Sequence, residues 1–185
     1  GAPAEIAAQA RQLVAQGYKT LKAKIGRDIE ADIDVLEAIR SEVGNEITLR
    51  VDANMGWPSA KEAVRHIEEI SVFDLELVEQ PLPPDDIEGL RFVRERVDLP
   101  IMADESIWTP HDAMHCIRHQ AVDVFNVYVS EAGGLGSAAR IFSIAEAARL
   151  PCIIGSMPEL GIGTAAQAHL AFAMPNLGYA SDVNG

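Results

Sequence analysis

ITLRVDAN, residues 47–54, is an apolar run closed by a carboxylate, Asp52. Two later runs, LELVEQP and PIMADES, are closed in the same way by Glu79 and Asp104. An earlier run, LKAKIG, carries Lys24 at the matching place, so the successive intervals are 28, 27 and 25 residues (52−24, 79−52, 104−79). A repeat of one strand and one helix has this length, and it predicts a (β/α)8 barrel with functional side chains at the carboxyl ends of the strands.

Three carboxylates at one mouth of such a barrel repel one another unless a divalent cation lies between them. Asp52, Glu79 and Asp104 are hard oxygen donors, which favour Mg²⁺, with Mn²⁺ as a substitute. Zn²⁺ is disfavoured because no histidine or cysteine accompanies them. The alternative for each acid, considered alone, is that it caps a helix or carries a charge in a loop and binds no metal.

The rest of the chain repeats the pattern and predicts an α/β fold. We predict strands over residues 18–25, 47–52, 75–79, 101–104, 122–129, 152–154 and 178–181. The predicted helices are 4–16, 28–43, 60–70, 87–95, 110–118, 135–148 and 164–172. Such alternation implies parallel strands joined by crossovers.

The length predicts one incomplete barrel domain over residues 1–185. A complete barrel of this type needs about 250 residues, whereas the chain has 185. We therefore expect about seven strands, with the first strand and any preceding lid domain absent.

Composition narrows the classes of partner. The formal net charge of −13 argues against nucleic acid and anionic membranes. Cys116 and Cys152 have no metal-like spacing and suggest buried thiols in a reducing compartment. A membrane-spanning helix needs about 20 apolar residues, and no apolar run is that long. The first residues lack a signal-peptide pattern. We therefore predict a cytoplasmic protein.

Lys22 and Lys24 lie two residues apart on one predicted strand, so they face the same side. A second ammonium group and a nearby cation both favour the neutral amine, which makes a lysine a competent general base. The alternatives are a solvated pair at a strand end and a Schiff-base lysine of an aldolase. An aldolase would not need three metal-binding acids.

These motifs together resemble the enolase superfamily in its mandelate-racemase and muconate-lactonizing branches. The resemblance rests on KAK, VDAN, VEQP and ADES, and extends through AGG at 132–134, GSMPELGIGTAA at 155–166 and SDVNG at 181–185. It implies that Asp52, Glu79 and Asp104 bind Mg²⁺, that Lys24 removes the proton α to a substrate carboxylate, and that Lys22 holds that carboxylate. Family members also carry an N-terminal capping domain, which we do not expect within these 185 residues.

Elementary chemistry supports this reaction independently. Removing a proton α to a carboxylate gives an enediolate with two negative charges on oxygen. A divalent cation and ammonium groups stabilise that developing charge more than they stabilise the substrate. The enediolate can be reprotonated, can lose a β-leaving group, or can itself be formed by ring closure.

One departure from the family pattern occurs on the strand before AGG. Muconate-lactonizing relatives usually carry a second acid/base lysine in a stretch resembling N-(I/V)-K, whereas this chain reads NVYVSEAGG with Tyr128 at that position and Glu131 where another lysine is common. The histidine of the mandelate-racemase type is not evident either. We predict that Tyr128 donates a proton to a departing hydroxyl or hydrogen-bonds the substrate; the alternative is a packing residue.

Three further polar residues are candidates for the surroundings of the site. Asn54 and Gln80 follow the metal-ligand positions and are predicted to hydrogen-bond around the ion. Glu159 is predicted to face the site, with a loop carboxylate as the alternative.

We therefore predict a Mg²⁺-dependent enzyme that abstracts the α-proton of a small carboxylate substrate and dehydrates a sugar acid or hydroxy acid. A muconate-type cycloisomerase or a racemase/epimerase is the first alternative, and a catalytically silent paralogue is the second. We expect a homo-oligomer for the full-length protein.

Overall fold

The computed structural model describes residues 1–183. Within them the strands are β1 (Thr20–Lys24), β2 (Thr48–Asp52), β3 (Leu75–Glu79), β4 (Ile101–Ala103), β5 (Val124–Tyr128) and β6 (Cys152–Gly155). The helices are α1 (Pro3–Ala15), α2 (Ile29–Val43), α3 (Ala60–Ile70), α4 (Ile87–Arg94), α5 (Pro110–His119), α6 (Leu135–Ala147) and α7 (Gly161–Ala173), with a 3₁₀ turn at Ser71–Phe73. Strands and helices alternate, which confirms the predicted α/β class.

The predicted seventh strand, residues 178–181, is wrong for the described part of the chain. Leu177, the residue just before this range, makes one isolated parallel bridge with Cys152. The Gly178 N–H then donates to the Cys152 carbonyl at 3.1 Å. This pairing is too short for a ladder. The last two residues of the SDVNG segment lie outside the described residues.

The chain divides into two compact units, Gly1–Ile101 and Met102–Gly185. In the first unit β1 pairs in parallel with β2, and β2 with β3. Side-chain caps mark where its helices begin: Asp28 accepts from the Ala31 N–H, and Ser59 from the Glu62 N–H. Such caps satisfy amide groups that a helix start otherwise leaves without partners.

A register shift between β2 and β3 sets which of their side chains share a face. Leu49 pairs with Leu75, but Val51 pairs with Val78, so β3 contains one extra residue over this interval. Side chains alternate between faces along a strand, and an inserted residue therefore reverses the phase. This bulge brings Asp52 into register with Glu79.

In the second unit β5 pairs in parallel with β4 on one side and β6 on the other. Its core contains Phe125, Phe142 and Cys152, each with 0% exposure. None of the helices described by the structure has the length and apolar character to cross a membrane.

Both cysteines are expected to resist thiol reagents in the folded protein. Cys116 and Cys152 are buried and unpaired, and burial raises the pKa of each thiol to about 12. At pH 8 a thiol of that pKa is only about 10⁻⁴ ionised, and the thiolate is the reactive form. Titration with a chromogenic disulfide should show no prompt reaction until guanidinium is added. Prompt reaction of either thiol in the native protein would contradict the burial.

Candidate functional site

Two lysines and two carboxylates of the first unit form one hydrogen-bonded cluster. Lys24 Nζ donates to Asp52 Oδ2 at 2.5 Å. Lys22 Nζ donates to Glu79 Oε2 at 3.0 Å and lies 3.6 Å from Asp52 Oδ2. These four predicted site residues therefore lie in contact within this unit.

Burial differs sharply within the cluster. The side chains of Asp52 and Glu79 are 0% exposed, whereas those of Lys22 and Lys24 are 16% and 60% exposed. Buried carboxylates require positive partners, and the lysines supply them in this structure. Of the two lysines, Lys24 therefore has the more solvent-exposed side chain.

The segments after β2 and β3 hold the carboxylates in place. The Asn54 N–H donates to Asp52 Oδ1 at 2.9 Å, and the Gln80 carbonyl accepts the Met55 N–H at 2.8 Å. The Gln80 side chain is fully buried and donates to the Leu82 carbonyl at 2.8 Å. Asn54 thus contacts a predicted metal ligand through its backbone, and Gln80 braces the neighbouring turn.

A cavity of about 850 Å³ opens beside the two lysines in the first unit. Lys22, Lys24 and Arg27 line it together with apolar side chains of α1 and α2. Its size is that of a small-ligand pocket.

In the second unit the structure places Asp104 and Tyr128 at successive strand ends. Asp104 directly follows β4 and is 5% exposed, and Tyr128 ends β5 and is 8% exposed. Tyr128 is in register with Gly155 of β6. A Cβ atom at Gly155 would lie 2.3 Å from the Tyr128 ring, so the tyrosine at this position depends on a glycine across the ladder.

Glu159 lies near two other acidic residues of this unit, Glu105 and Glu131. It accepts hydrogen bonds from Ser130 Oγ and Gln167 Nε2, both at 3.2 Å. Burial, and then the charges of Glu105 and Glu159, raise the pKa of Glu131 above its ordinary value. The predicted role of Glu159 toward substrate stays a prediction.

The donor chemistry of the buried acids fits a magnesium ion. Asp52 and Glu79 of the first unit and Asp104 of the second are each buried, and each offers carboxylate oxygen. Mg²⁺ prefers such hard oxygen donors and keeps further positions for water and substrate.

One buried acid of this region, Asp32, is absent from the predicted site. It is 7% exposed, and its carboxylate accepts the Gly26 N–H at 2.8 Å. Burial raises its pKa, and the hydrogen bond from Gly26 is the largest opposing effect. The sequence indicates that Asp32 is buried, because it lies on the same helical face as Leu36 and Ile39, which are also buried.

The family model described as "Enolase C-terminal domain-like" matches residues 5–185. The chain belongs to this family. Among curated proteins, it is 42% identical over 178 residues to the L-Ala-D/L-Glu epimerase of Bacillus subtilis, covering 95% of this chain and 48% of that protein. It is 43% identical over 176 residues to the hydrophobic dipeptide epimerase of Enterococcus faecalis, covering 95% and 49%.

A solved structure also matches this chain closely. The crystal structure of the Enterococcus faecalis dipeptide epimerase complexed with Mg and dipeptide L-Leu-L-Tyr matches with a TM-score of 0.95 at 42% identity, covering 99% of this chain and 51% of that one. The enolase-type barrel domain predicted from the motifs is thereby confirmed. The chain spans about half the length of the relatives that it matches.

Proposed function

We propose that the protein is a Mg²⁺-dependent epimerase or racemase, which removes and returns the α-hydrogen of a small carboxylate substrate, with dipeptides as the substrate class. The observation that carries the proposal is the cluster of Lys22 and Lys24 on the buried carboxylates Asp52 and Glu79. The chain that bears it shares 42% and 43% identity with two dipeptide epimerases.

Asp52, Glu79 and Asp104 are the proposed ligands of Mg²⁺. The ion, when bound, supplies positive charge to the substrate carboxylate as the α-hydrogen becomes acidic. The magnesium-complexed Enterococcus faecalis structure supports the choice of metal.

Lys24 is the proposed base. Its side chain is the more exposed of the two, at 60% against 16% for Lys22, which supports its access to a substrate carbon. Lys22 is held against both carboxylates. It is proposed to hold the substrate carboxylate beside them.

Tyr128 is the proposed second proton-transfer group. Inversion at carbon requires a group on each face of the carbanion, and Tyr128 stands at the position where the family pattern usually has a lysine. A phenol both donates and accepts a proton.

Dehydration, the expectation from the motifs, gains no support from the relatives. The two curated relatives are named epimerases. Elimination rested on the Tyr128 substitution alone, and that tyrosine serves proton return as well as it serves a leaving hydroxyl. We therefore propose epimerisation instead.

The test is a panel of L,L-dipeptides, with acid sugars and hydroxy acids alongside, incubated with the magnesium-loaded protein in deuterium oxide. We expect deuterium at one α-carbon of a dipeptide, together with the epimer, by nuclear magnetic resonance and chiral chromatography. A 2-keto product from the acids with no exchange in dipeptides would overturn the proposal. Tight Mg²⁺ binding with no exchange anywhere would favour a silent paralogue.

Replacing Tyr128 with phenylalanine should separate exchange from inversion. The ring keeps its packing against Gly155 while the phenol is lost, and a general acid or base contributes about 10²–10⁴-fold. We expect epimer formation to fall by about this factor. Exchange of the α-hydrogen should persist in the substrate stereoisomer from which Lys24 removes the proton. Tyr18→Phe, at an exposed site, is the matched control. Equal loss of exchange and inversion would contradict the assigned role.

A further inference from the structure

Asp32 is a buried acid that the proposed chemistry does not use. It lies in the first turn of α2, and its Oδ2 accepts the Gly26 N–H, two residues after the end of β1, at 2.8 Å. Gly26 follows Lys24 by two residues. A charged side chain on a buried helical face is costly unless it serves a partner, and here the partner is a backbone amide next to the proposed base.

Gly26 is tightly enclosed. Its φ is +100°, and a Cβ atom at this position would lie 2.4 Å from the Ala53 carbonyl oxygen. On the facing segment, a Cβ atom at Gly56 would lie 2.1 Å from the Gly26 carbonyl oxygen. The backbone after Lys24 therefore lies directly against the backbone after Asp52, and a small shift in one meets the other.

Two consecutive amide groups fix the backbone that leaves β1. The Ile25 N–H donates to the Asp52 carbonyl at 2.9 Å, which continues the β1–β2 ladder. The Gly26 N–H has turned away from that ladder and donates to Asp32 instead. Asp32 is thus the acceptor at the point where the ladder ends.

We propose that Asp32 is a positioning residue for the base: by holding the Gly26 N–H, it fixes the backbone after Lys24 and so aligns the Lys24 amine with Asp52 Oδ2. The inference rests on the proposed function for its kinetic consequence, but its structural content stands on the contacts alone. Asp32 is not one of the proposed metal ligands. Its effect passes through Gly26.

The experiment compares Asp32→Ala, Asp32→Asn and the exposed control Asp34→Ala in the magnesium-loaded protein. Misplacing a reacting group by about 1 Å can cost on the order of 10²-fold, so Asp32→Ala should lower kcat for α-hydrogen exchange by about 10–100-fold. KM should change little, because the base acts on the transition state and not on substrate binding. Asp32→Asn keeps an acceptor oxygen and should restore kcat to within about 5-fold of wild type.

A second variant, Gly26→Ala, tests the same proposal if Asp32→Ala folds poorly. Gly26→Ala leaves Asp32 intact but places a methyl group against the Ala53 carbonyl, so it displaces the same backbone. It should lower kcat to a similar extent. Equal kcat losses in Asp32→Ala and Asp32→Asn, or a loss confined to KM, would overturn the proposal.

A readout independent of turnover is the rate at which an amine-reactive sulfonate modifies Lys24 at one fixed pH, measured by peptide mass spectrometry. Lys61, which is exposed on α3, is the internal reference. Asp32→Ala should change the Lys24 rate several-fold and leave the Lys61 rate unchanged. An unchanged Lys24 rate would overturn the positioning role. Failure of the proposed function would show differently, as undiminished exchange in Lys24→Ala.

Discussion

Lys24→Ala is expected to abolish measurable α-hydrogen exchange, with a fall in kcat of about 10²–10⁴-fold, the range that a general base contributes. Alanine removes the amine that lies 2.5 Å from Asp52 Oδ2 and leaves no other proton acceptor assigned to that position. Exchange of the substrate α-hydrogen in deuterium oxide is the measurement, because it reports proton removal even where no product accumulates.

Two lysine variants sharpen this result. Lys61→Ala removes an exposed lysine from α3 and should leave exchange unchanged. Lys22→Ala removes the ammonium group 3.0 Å from Glu79 Oε2 and should raise KM as well as lower kcat, because Lys22 is assigned to the substrate carboxylate. Exchange that survives in Lys24→Ala at the wild-type rate would remove this residue from the mechanism.

Glu79→Gln is expected to weaken Mg²⁺ binding by more than about 100-fold. Losing a residue that only hydrogen-bonds a metal ligand costs about 10–100-fold in affinity, and Glu79 is a proposed ligand itself. An amide replaces a charged oxygen ligand and also removes the negative charge that lies 3.0 Å from the Lys22 ammonium. Isothermal titration calorimetry measures the affinity directly. Uptake of Mg²⁺ by Glu79→Gln with wild-type affinity would refute the ligand assignment.

Thermal stability gives a second measure of the same change. A ligand at about 100 times its Kd stabilises the folded state by about 2.7 kcal/mol. At that Mg²⁺ concentration a variant of about 100-fold lower affinity gains only about 0.4 kcal/mol. The Tm increase with Mg²⁺ should therefore nearly vanish in Glu79→Gln and persist in Glu69→Gln, which alters an exposed residue of α3.

Much of the fold was predictable because its signals are local. The spacing of Lys24, Asp52, Glu79 and Asp104 sets the length of each strand–helix unit, and helix starts carry capping side chains such as Asp28. The last predicted strand, residues 178–181, was wrong: among the described residues, the isolated bridge in this region is made by Leu177, one residue before it, with Cys152. Pairing partners decide a strand, and local composition does not contain them.

The sequence by itself determined which residues stand at the ends of the strands and that Lys22 and Lys24 share a face, because both follow from position along one chain. Only the tertiary structure decided that a bulge in β3 brings Glu79 into register with Asp52, and that Asp32 closes onto Gly26. Both depend on how separate segments meet. The energy of such contacts comes from groups far apart in sequence, so no local pattern specifies them.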